Sequence, residues 1–446
     1  MKKIATLVVL VVAFAAAGFG QNRWNFAGYW PDSTFAKKAT GAHGVAVDPA
    51  GKVWMQFFGR TDSIQNANGT FTGTLNIFIF NANGTPASFS PLKVLSGAGV
   101  TDTLFSSTPP SGAVAVSNRG LKRDHQGNIL VSIFDRIYRL NYLTGAVMNK
   151  VVTGGNSLAA AAADTLGEIF VQTVVPGNPI KIFASNFSSL GNVTDTSRGF
   201  CRTGEVSKEG NDYYSANYTN HSVLRYRSAF GTFGPYVVGP NDTLMKGFDC
   251  ESMCWNPTRT RLWASSGSAA DLPNRYPGAT TNYGVNRWYA FNTTNFTITD
   301  SLIWKFYNTD SANTKPRAIG FSPDGLTAYV ACFGAGTYPA FEKFTFGPSS
   351  VEPDPSVIPV AFTLSQNYPN PFNPSTEIKF TLTKSGFTTL KVYNTLGQEV
   401  ATLVNENLGV GGYTSHFVAS NLSSGTYIYR LTTNGQTMTK KMMLMK

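Results

Sequence analysis

The sequence predicts an all-β protein in which a β-propeller of six blades is followed by a small β-sandwich. Three observations predict this. A strand–turn–strand pattern recurs between about residues 43 and 348, a proline-rich segment ends it, and a shorter all-β pattern occupies the remaining C-terminal residues. Glycine is abundant at 43 of 446 residues and charged residues make up only 14%. This composition is typical of β-rich extracellular proteins.

Residues 1–20 have the pattern of a secretory signal peptide. Lys2 and Lys3 precede an apolar run over 4–17, and Gly18 and Gly20 fit a cleavage site that leaves Gln21 as the first mature residue. The alternative is a membrane anchor, but this run is shorter than the ~20 residues that a spanning helix needs. No later segment reaches 18 apolar residues, so we expect an exported mature chain without a transmembrane segment.

The net charge of +11 and the pI near 9.4 come from scattered basic residues. We find no nucleic-acid-binding motif, and attraction to anionic cell-surface polysaccharide is the more specific alternative to a merely basic secreted protein. Four cysteines are present without a CxxC pair, which favours buried thiols or one or two disulfides over a metal site. They are Cys201, Cys250, Cys254 and Cys332.

The predicted propeller spans 21–346. Six copies of a strand, a D-x-x-G-like turn and a second strand begin near Gly44, Leu121, Ala160, Gly204, Ser252 and Ala318. Asp124, Asp164 and Glu209 lie 40 and 45 positions apart, which fits one four-stranded blade. We interpret the turn aspartates as caps of their own backbone. A seventh blade within the 76 positions from Asp48 to Asp124 is the alternative, and residues 24–30 are expected to supply the strand that closes the ring.

A proline-rich linker is predicted over 347–360, and a second domain over 361–446. Its first motif, NYPNPFNPST, precedes a strand and indicates a rigid entry into a sandwich, because proline fixes φ and lacks an N–H donor. The residues singled out in the motifs of this second domain are Tyr368, Pro369, Asn370, Pro371, Phe372, Asn373, Pro374, Gly397, Gly425, Tyr427, Lys440 and Lys441.

The motifs of 361–446, including VYNTLGQEV, LSSGTYIYRL and the terminal KKMMLMK, closely resemble the type A sorting domain of the type IX secretion system of Bacteroidetes. This resemblance implies an Ig-like sandwich that the outer-membrane translocon recognises and that a sortase commonly removes. It also implies a secreted or cell-surface location reached through the periplasm. An ordinary Ig-like adhesion module is the alternative. The propeller repeats resemble those of NHL and lactonase-like propellers.

No G-x-S-x-G, H-E-x-x-H or EF-hand motif is present, so a catalytic role is uncertain and no catalytic residue is assigned. Lactonase-like propellers bind a divalent metal at the channel, which makes Glu205, Asp249 and Glu251 candidate Ca²⁺ ligands; otherwise no cofactor is expected. Capping of strand ends or pairing with Arg202 and Arg317 is the alternative role of these carboxylates.

Tyr276, Tyr283 and Trp288 are candidates for a ligand-binding aromatic surface, with packing within the propeller as the alternative. The leading functional hypothesis is a non-enzymatic binding or scaffold module for extracellular glycan or protein. The second hypothesis is a metal-dependent propeller hydrolase or lactonase.

Overall fold

The structure is a computed structural model. It describes residues 22–32, 35, 41–58, 62–104, 118–155, 157–266, 283–284, 286–304, 315–333, 340–348, 351–354, 359–419 and 422–446. The predicted signal peptide lies outside these residues. The chain divides into two compact units, one of Phe26–Phe346 and one of Gly347–Lys446 together with the segment up to Asn25.

The N-terminal half of the propeller contains the first strand of the chain and three sheets. The first sheet has three main strands and two attached hairpins, and the second and third are four-stranded antiparallel meanders. The strands are β1 (Asn22–Tyr29); β2 (Ala42–Val47), β3 (Val53–Phe57), β4 (Asp62–Gln65), β5 (Phe71–Thr74), β6 (Ile77–Phe80), β7 (Val94–Gly97) and β8 (Val100–Thr103); β9 (Asn118–Arg123), β10 (Ile129–Ile133), β11 (Arg136–Leu140) and β12 (Val147–Val152); and β13 (Ala162–Ala163), β14 (Ile169–Val171), β15 (Ile180–Phe183) and β16 (Ser189–Thr194).

The other half contains three more sheets of four strands, with short 3₁₀ turns at Tyr218–Asn220 and Gly231–Phe233. The strands are β17 (Gly204–Val206), β18 (Asp212–Asn217), β19 (Ser222–Arg227) and β20 (Thr243–Leu244); β21 (Cys250–Trp255), β22 (Arg261–Ser266), β23 (Arg287–Asn292) and β24 (Ile298–Ile303); and β25 (Lys315–Phe321), β26 (Thr327–Phe333) and β27 (Phe341–Pro348).

The six sheets are the blades of a closed ring. The first strands of successive blades contact one another in the order β2, β9, β13, β17, β21, β25, and β25 contacts β2 again. β1 pairs with β27 at the outer edge of the sixth blade, so the N-terminal strand closes the ring as predicted. Within the described part of the Asp48–Asp124 interval, the residues form the rest of the first blade and two hairpins, and no seventh blade is present there.

Each first strand ends in the same hydrogen-bonded turn. Asp48 Oδ1 accepts the N–H groups of Ala50 and Lys52, both at 2.9 Å, and Asn256 Oδ1 accepts those of Thr260 and Arg261. This confirms the interpretation of the turn aspartates as backbone caps. The amide of each turn residue also donates to a carbonyl four or five positions later. The six turn residues are Asp48, Asp124, Asp164, Ser207, Asn256 and Ser322.

The C-terminal unit is a sandwich of two four-stranded sheets, in the orders β28-β33-β30-β29 and β32-β31-β34-β35. β28 lies inside the segment predicted to be a linker, which is therefore partly strand. It is an edge strand, the position in a sheet that tolerates a proline such as Pro353. The strands are β28 (Val351–Asp354), β29 (Thr363–Leu364), β30 (Ser375–Leu382), β31 (Gly386–Tyr393), β32 (Glu399–Leu408), β33 (Gly411–Val418), β34 (Gly425–Thr433) and β35 (Gln436–Leu444).

The NYPNPFNPST segment holds the last strand of the sandwich in place. The Tyr429 hydroxyl donates to Ser365 O at 2.8 Å and accepts the Asn367 N–H at 2.9 Å. The Met443 N–H donates to Asn370 Oδ1, and Phe372 forms a parallel bridge to Leu444. Proline-rich backbone thus receives its hydrogen bonds from side chains and from the final strand.

Candidate functional site

The centre of the propeller contains a cavity of about 450 Å³, lined by the first strands of the blades. One equivalent position recurs in these first strands: the residue five places before each turn residue. At this position five of the six blades have a charged or titratable side chain, and the third has Ala159. Because equivalent positions of a ring of blades lie at one level, these side chains form a ring at one end of the channel. The channel-end ring comprises His43, Arg119, Arg202, Glu251 and Arg317.

Two of the three arginines of the channel-end ring face its single carboxylate. Arg317 Nη1 lies 3.2 Å from Glu251 Oε2, and Arg202 Nε lies 3.6 Å from the same oxygen. Glu251 is 3% exposed and Arg317 is 5% exposed. A charge that is so well buried requires a partner of opposite sign. Glu251 therefore compensates part of the positive charge of the ring.

Partly exposed aromatic rings lie beneath the three guanidinium groups. The Cζ atoms of Arg119, Arg202 and Arg317 lie 4.8–5.5 Å from ring centroids, within the range of a cation–π contact. These contacts fix each guanidinium while leaving its edge available for hydrogen bonds. The aromatic partners are Phe58 for Arg119, Phe200 and Tyr218 for Arg202, and Phe333 for Arg317.

Burial, together with the positive charge of the ring, lowers the pKa values of His43 and Arg119. Burial, and then the charges of Arg317, Arg119 and Arg202, hold the pKa of His43 well below its ordinary value, so His43 is neutral at pH 7. Burial and the Arg202 charge also lower the pKa of Arg119 to about 10, although Glu251 opposes this effect. With three guanidinium groups and one carboxylate, the ring has a net charge of +2 at neutral pH.

The remaining cations of the channel lie nearer its other end and form structural contacts. Lys122 Nζ lies 2.7 Å from Glu205 Oε1 and donates to Gly204 O at 2.6 Å, which links the second blade to the fourth. Arg259 donates to Ala163 O and Val206 O at 3.0 and 2.7 Å. These groups connect blades to one another.

The predicted metal ligands Glu205, Asp249 and Glu251 are not brought together. Glu205 is paired with Lys122, Glu251 with Arg317 and Arg202, and Asp249 Oδ1 with Nδ1 of His221. Among the residues that the structure describes, no group of three or more His, Cys, Asp or Glu side chains could hold a metal ion. This geometry matches the alternative, pairing with Arg202 and Arg317, for Glu251.

The predicted aromatic surface is not present in the described residues. Trp288 is completely buried, and its Nε1 donates to Arg317 O at 2.8 Å. Tyr283 is half-buried and packs its ring 4.7 Å from that of Phe248. Trp288 and Tyr283 therefore have the alternative role, packing within the propeller, and Tyr276 lies outside the described residues. The aromatic side chains at the channel end were not predicted.

All four cysteines are free thiols. Cys201, Cys250 and Cys332 are buried, and burial raises the pKa of the Cys201 thiol to about 12. Of the two predicted alternatives, buried thiols and disulfides, the structure has thiols. They are inert at neutral pH because they stay protonated.

Comparison with known proteins identifies the C-terminal domain. Residues 366–445 match the family model described as "Secretion system C-terminal sorting domain". The region includes the whole set of predicted sorting residues, from Tyr368 to Lys441. The sorting domain indicates export by the type IX secretion system to the cell surface or extracellular space. No helix in the described part of the chain is long and apolar enough to cross a membrane.

The rest of the chain has only remote similarity to known proteins. No curated protein matches it. Regucalcin from Agrobacterium tumefaciens str. C58, described as a calcium-binding protein, is 10% identical over 72% of this chain and 94% of its own, with a TM-score of 0.43. PorZ of Porphyromonas gingivalis, described as an essential surface component of the type-IX secretion system, is 11% identical over 91% of this chain and 51% of its own, with a TM-score of 0.36. Similarity this low supplies no argument about ligand or activity.

Proposed function

We propose that the protein is a secreted, non-enzymatic binding module that holds an extracellular glycan at the channel-end ring of its propeller. The observation that supports this most directly is the set of aromatic rings at that end, each paired with an arginine. Such pairs offer a sugar flat apolar surface and N–H donors for its hydroxyl groups. The arginines of these pairs belong to one ring, and two of them, Arg119 and Arg202, line the central cavity, so the groups can act on one ligand.

The size of the cavity favours a glycan over a protein partner. Sites for small ligands usually enclose ~300–1,000 Å³, and the channel cavity of about 450 Å³ falls within this range. A specific protein interface instead buries about 800 Å² on each partner. A concave channel end suits a few sugar units of a chain. The hydrolase hypothesis is not favoured, because each of its three carboxylates already holds a cationic partner or a histidine.

The proposal is tested by screening the purified full chain against an array of extracellular bacterial and host glycans. We expect binding that Phe333→Ala weakens at least tenfold, since the substitution removes the aromatic surface under Arg317. The matched control is Phe71→Ala, which removes a phenylalanine that is 68% exposed on the β4–β5 hairpin. Equal affinity of the Phe333→Ala and Phe71→Ala variants, or capture of a protein ligand with no glycan bound, would contradict the proposal.

A further inference from the structure

Among the described residues that line the channel, one carboxylate faces the three arginines of the channel-end ring. The carboxylates in the described lining of the channel are Asp124, Glu205 and Glu251. Asp124 pairs with Arg139 at 2.8 Å, and Glu205 pairs with Lys122. Glu251 therefore remains as the single counter-charge for three arginines. Like charges held together in a partly desolvated site repel one another, and such an arrangement persists at sites that bind the missing opposite charge.

The arginines of the ring also have unused hydrogen-bonding capacity. Each guanidinium has five N–H donors. Among the described residues, Arg119 Nε donates to Ser157 Oγ at 3.1 Å and Arg317 Nη1 to Pro316 O at 3.3 Å. The buried Nε atoms of Arg202 and Arg317 have no hydrogen-bond acceptor within the same described residues. Arg317 is 95% buried, so the unpaired donor is costly unless a ligand supplies an acceptor.

We infer that Arg119, Arg202 and Arg317 form an anion subsite that binds a carboxylate or sulfate group of an acidic glycan. This inference rests on the proposed function and specifies its ligand as a uronic-acid-containing or sulfated saccharide. The ligand oxygens accept charge-assisted, paired hydrogen bonds from the guanidinium groups. Glu251 is a positioning residue: it holds Arg202 and Arg317 toward each other and leaves two positive charges for the ligand.

A glycan, and not a free ion, is the expected occupant, because each arginine of the subsite is in contact with an aromatic side chain. Phe58 and Phe333 are partly exposed, so a sugar ring can contact the part of either ring that its guanidinium leaves uncovered and place an exocyclic carboxylate or sulfate beside that guanidinium. A small inorganic anion would use the charge and leave the aromatic surface unused. The two groups of the site therefore indicate one ligand with both chemical features.

The test compares saccharides that differ in charge. Calorimetric titration of the full chain would use trigalacturonate, the neutral galactotriose and a sulfated galactose oligomer, at low and at moderate salt. We expect an acidic trisaccharide to bind at least tenfold more tightly than the neutral one, and this difference to shrink with added salt. Arg202→Gln should reduce the acidic affinity at least tenfold. The control Arg261→Gln, at an arginine that is 46% exposed outside the channel, should change it less than twofold.

The outcomes separate this inference from the proposed function. Equal binding of acidic and neutral saccharides would overturn the anion subsite and leave the glycan proposal standing. If no saccharide binds but sodium sulfate protects the wild-type chain and not Arg202→Gln against thermal unfolding, the anion subsite stands and the glycan proposal fails. If neither saccharide nor sulfate responds to the arginine substitution, the inference is wrong. Preference for trigalacturonate over the sulfated oligomer, or the reverse, identifies the acidic group.

Discussion

Asp164→Asn is expected to stabilise the propeller at neutral pH. Asp164 is completely buried, and its Oδ1 accepts the N–H groups of Leu166 and Glu168 at 3.0 and 2.9 Å. Its Oδ2 has no hydrogen-bond partner among the described residues. Asparagine keeps the accepting oxygen and adds a donor that can reach the Glu168 carboxylate. Asn256 already occupies the equivalent turn of the fifth blade, so the substitution has a precedent within the molecule.

The magnitude follows from the pKa of Asp164. Burial, opposed by the Glu168 N–H and reinforced by the Glu168 charge, raises this pKa from 3.8 to about 6. Between these values the folded chain holds a proton that the unfolded chain has lost, so the stability of the wild type falls as pH rises through this window. A displacement of one pKa unit is worth ~1.4 kcal/mol, which gives a deficit of about 3 kcal/mol at pH 7.5 and about 1 kcal/mol at pH 4.5.

Urea unfolding at both pH values, followed by tryptophan fluorescence, measures this effect. Six of the seven tryptophans lie between Trp30 and Trp304 in the propeller unit, so the signal reports mainly on the propeller. Asp48→Asn is the matched control. Asp48 Oδ2 accepts Trp54 Nε1 at 3.0 Å in the core, and an amide nitrogen there would leave that donor unpaired. We expect a loss of about 1–3 kcal/mol for this control at either pH.

The reasoning makes opposite predictions for one chemical change at two equivalent turns. Destabilisation of the Asp164→Asn chain at pH 7.5, or a gain that is as large at pH 4.5 as at pH 7.5, would refute the assignment of a buried, poorly partnered carboxyl with a raised pKa. If Asp48→Asn leaves the stability unchanged, the hydrogen bond to Trp54 contributes little to it. The turns would then depend less on their side chains than the hydrogen bonds indicate.

Three further predictions concern the sandwich, the metal hypothesis and export. Tyr429→Phe should lower the stability of the sandwich by about 2–3 kcal/mol, because Ser365 O and Asn367 N–H both lose a buried partner; hydrogen exchange across 425–433 should accelerate, whereas Tyr393→Phe should leave it unchanged. Calorimetric titration with Ca²⁺ should show no tight stoichiometric binding, and tight binding abolished by Glu251→Ala would restore the metal hypothesis. Deletion of 361–446 should trap the protein in the periplasm, and normal secretion of the deletion variant would disprove the role of the sorting domain.

The parts of the fold that depend on local sequence were predictable. The turn at Asp124 is closed by residues within four positions, so its pattern is visible in a short window. The strand β28 was not predictable in this way. It pairs Val351–Asp354 with Gly412–Ser415, about sixty positions later, and its proline, Pro353, conceals its extended conformation. A strand that forms only because it pairs with the edge of a sheet far along the chain has no recognisable pattern in its own short sequence.

The candidate site was predicted only in part. Pairing of Glu251 with Arg202 and Arg317 was one of the alternatives that the sequence left open, but Arg119 and the channel-end aromatic rings were missed. Alignment of the repeats on their turn residues would have shown Arg119, Arg202 and Arg317 at one position. Trp288 was assigned to a surface because aromatic composition alone does not distinguish exposed from buried rings. Strands in the middle of a blade are covered on both faces by neighbouring blades, so their aromatic side chains are needed for packing.

The closure of the ring by β1 and β27 has a consequence for the order of folding. The sixth blade takes one strand from the first residues of the propeller and three from its last, so it cannot form until almost the whole domain is available. Contacts between such distant segments are slow to form. We therefore expect a partly folded chain, with five blades formed and two unpaired sheet edges, to accumulate before β1 pairs with β27.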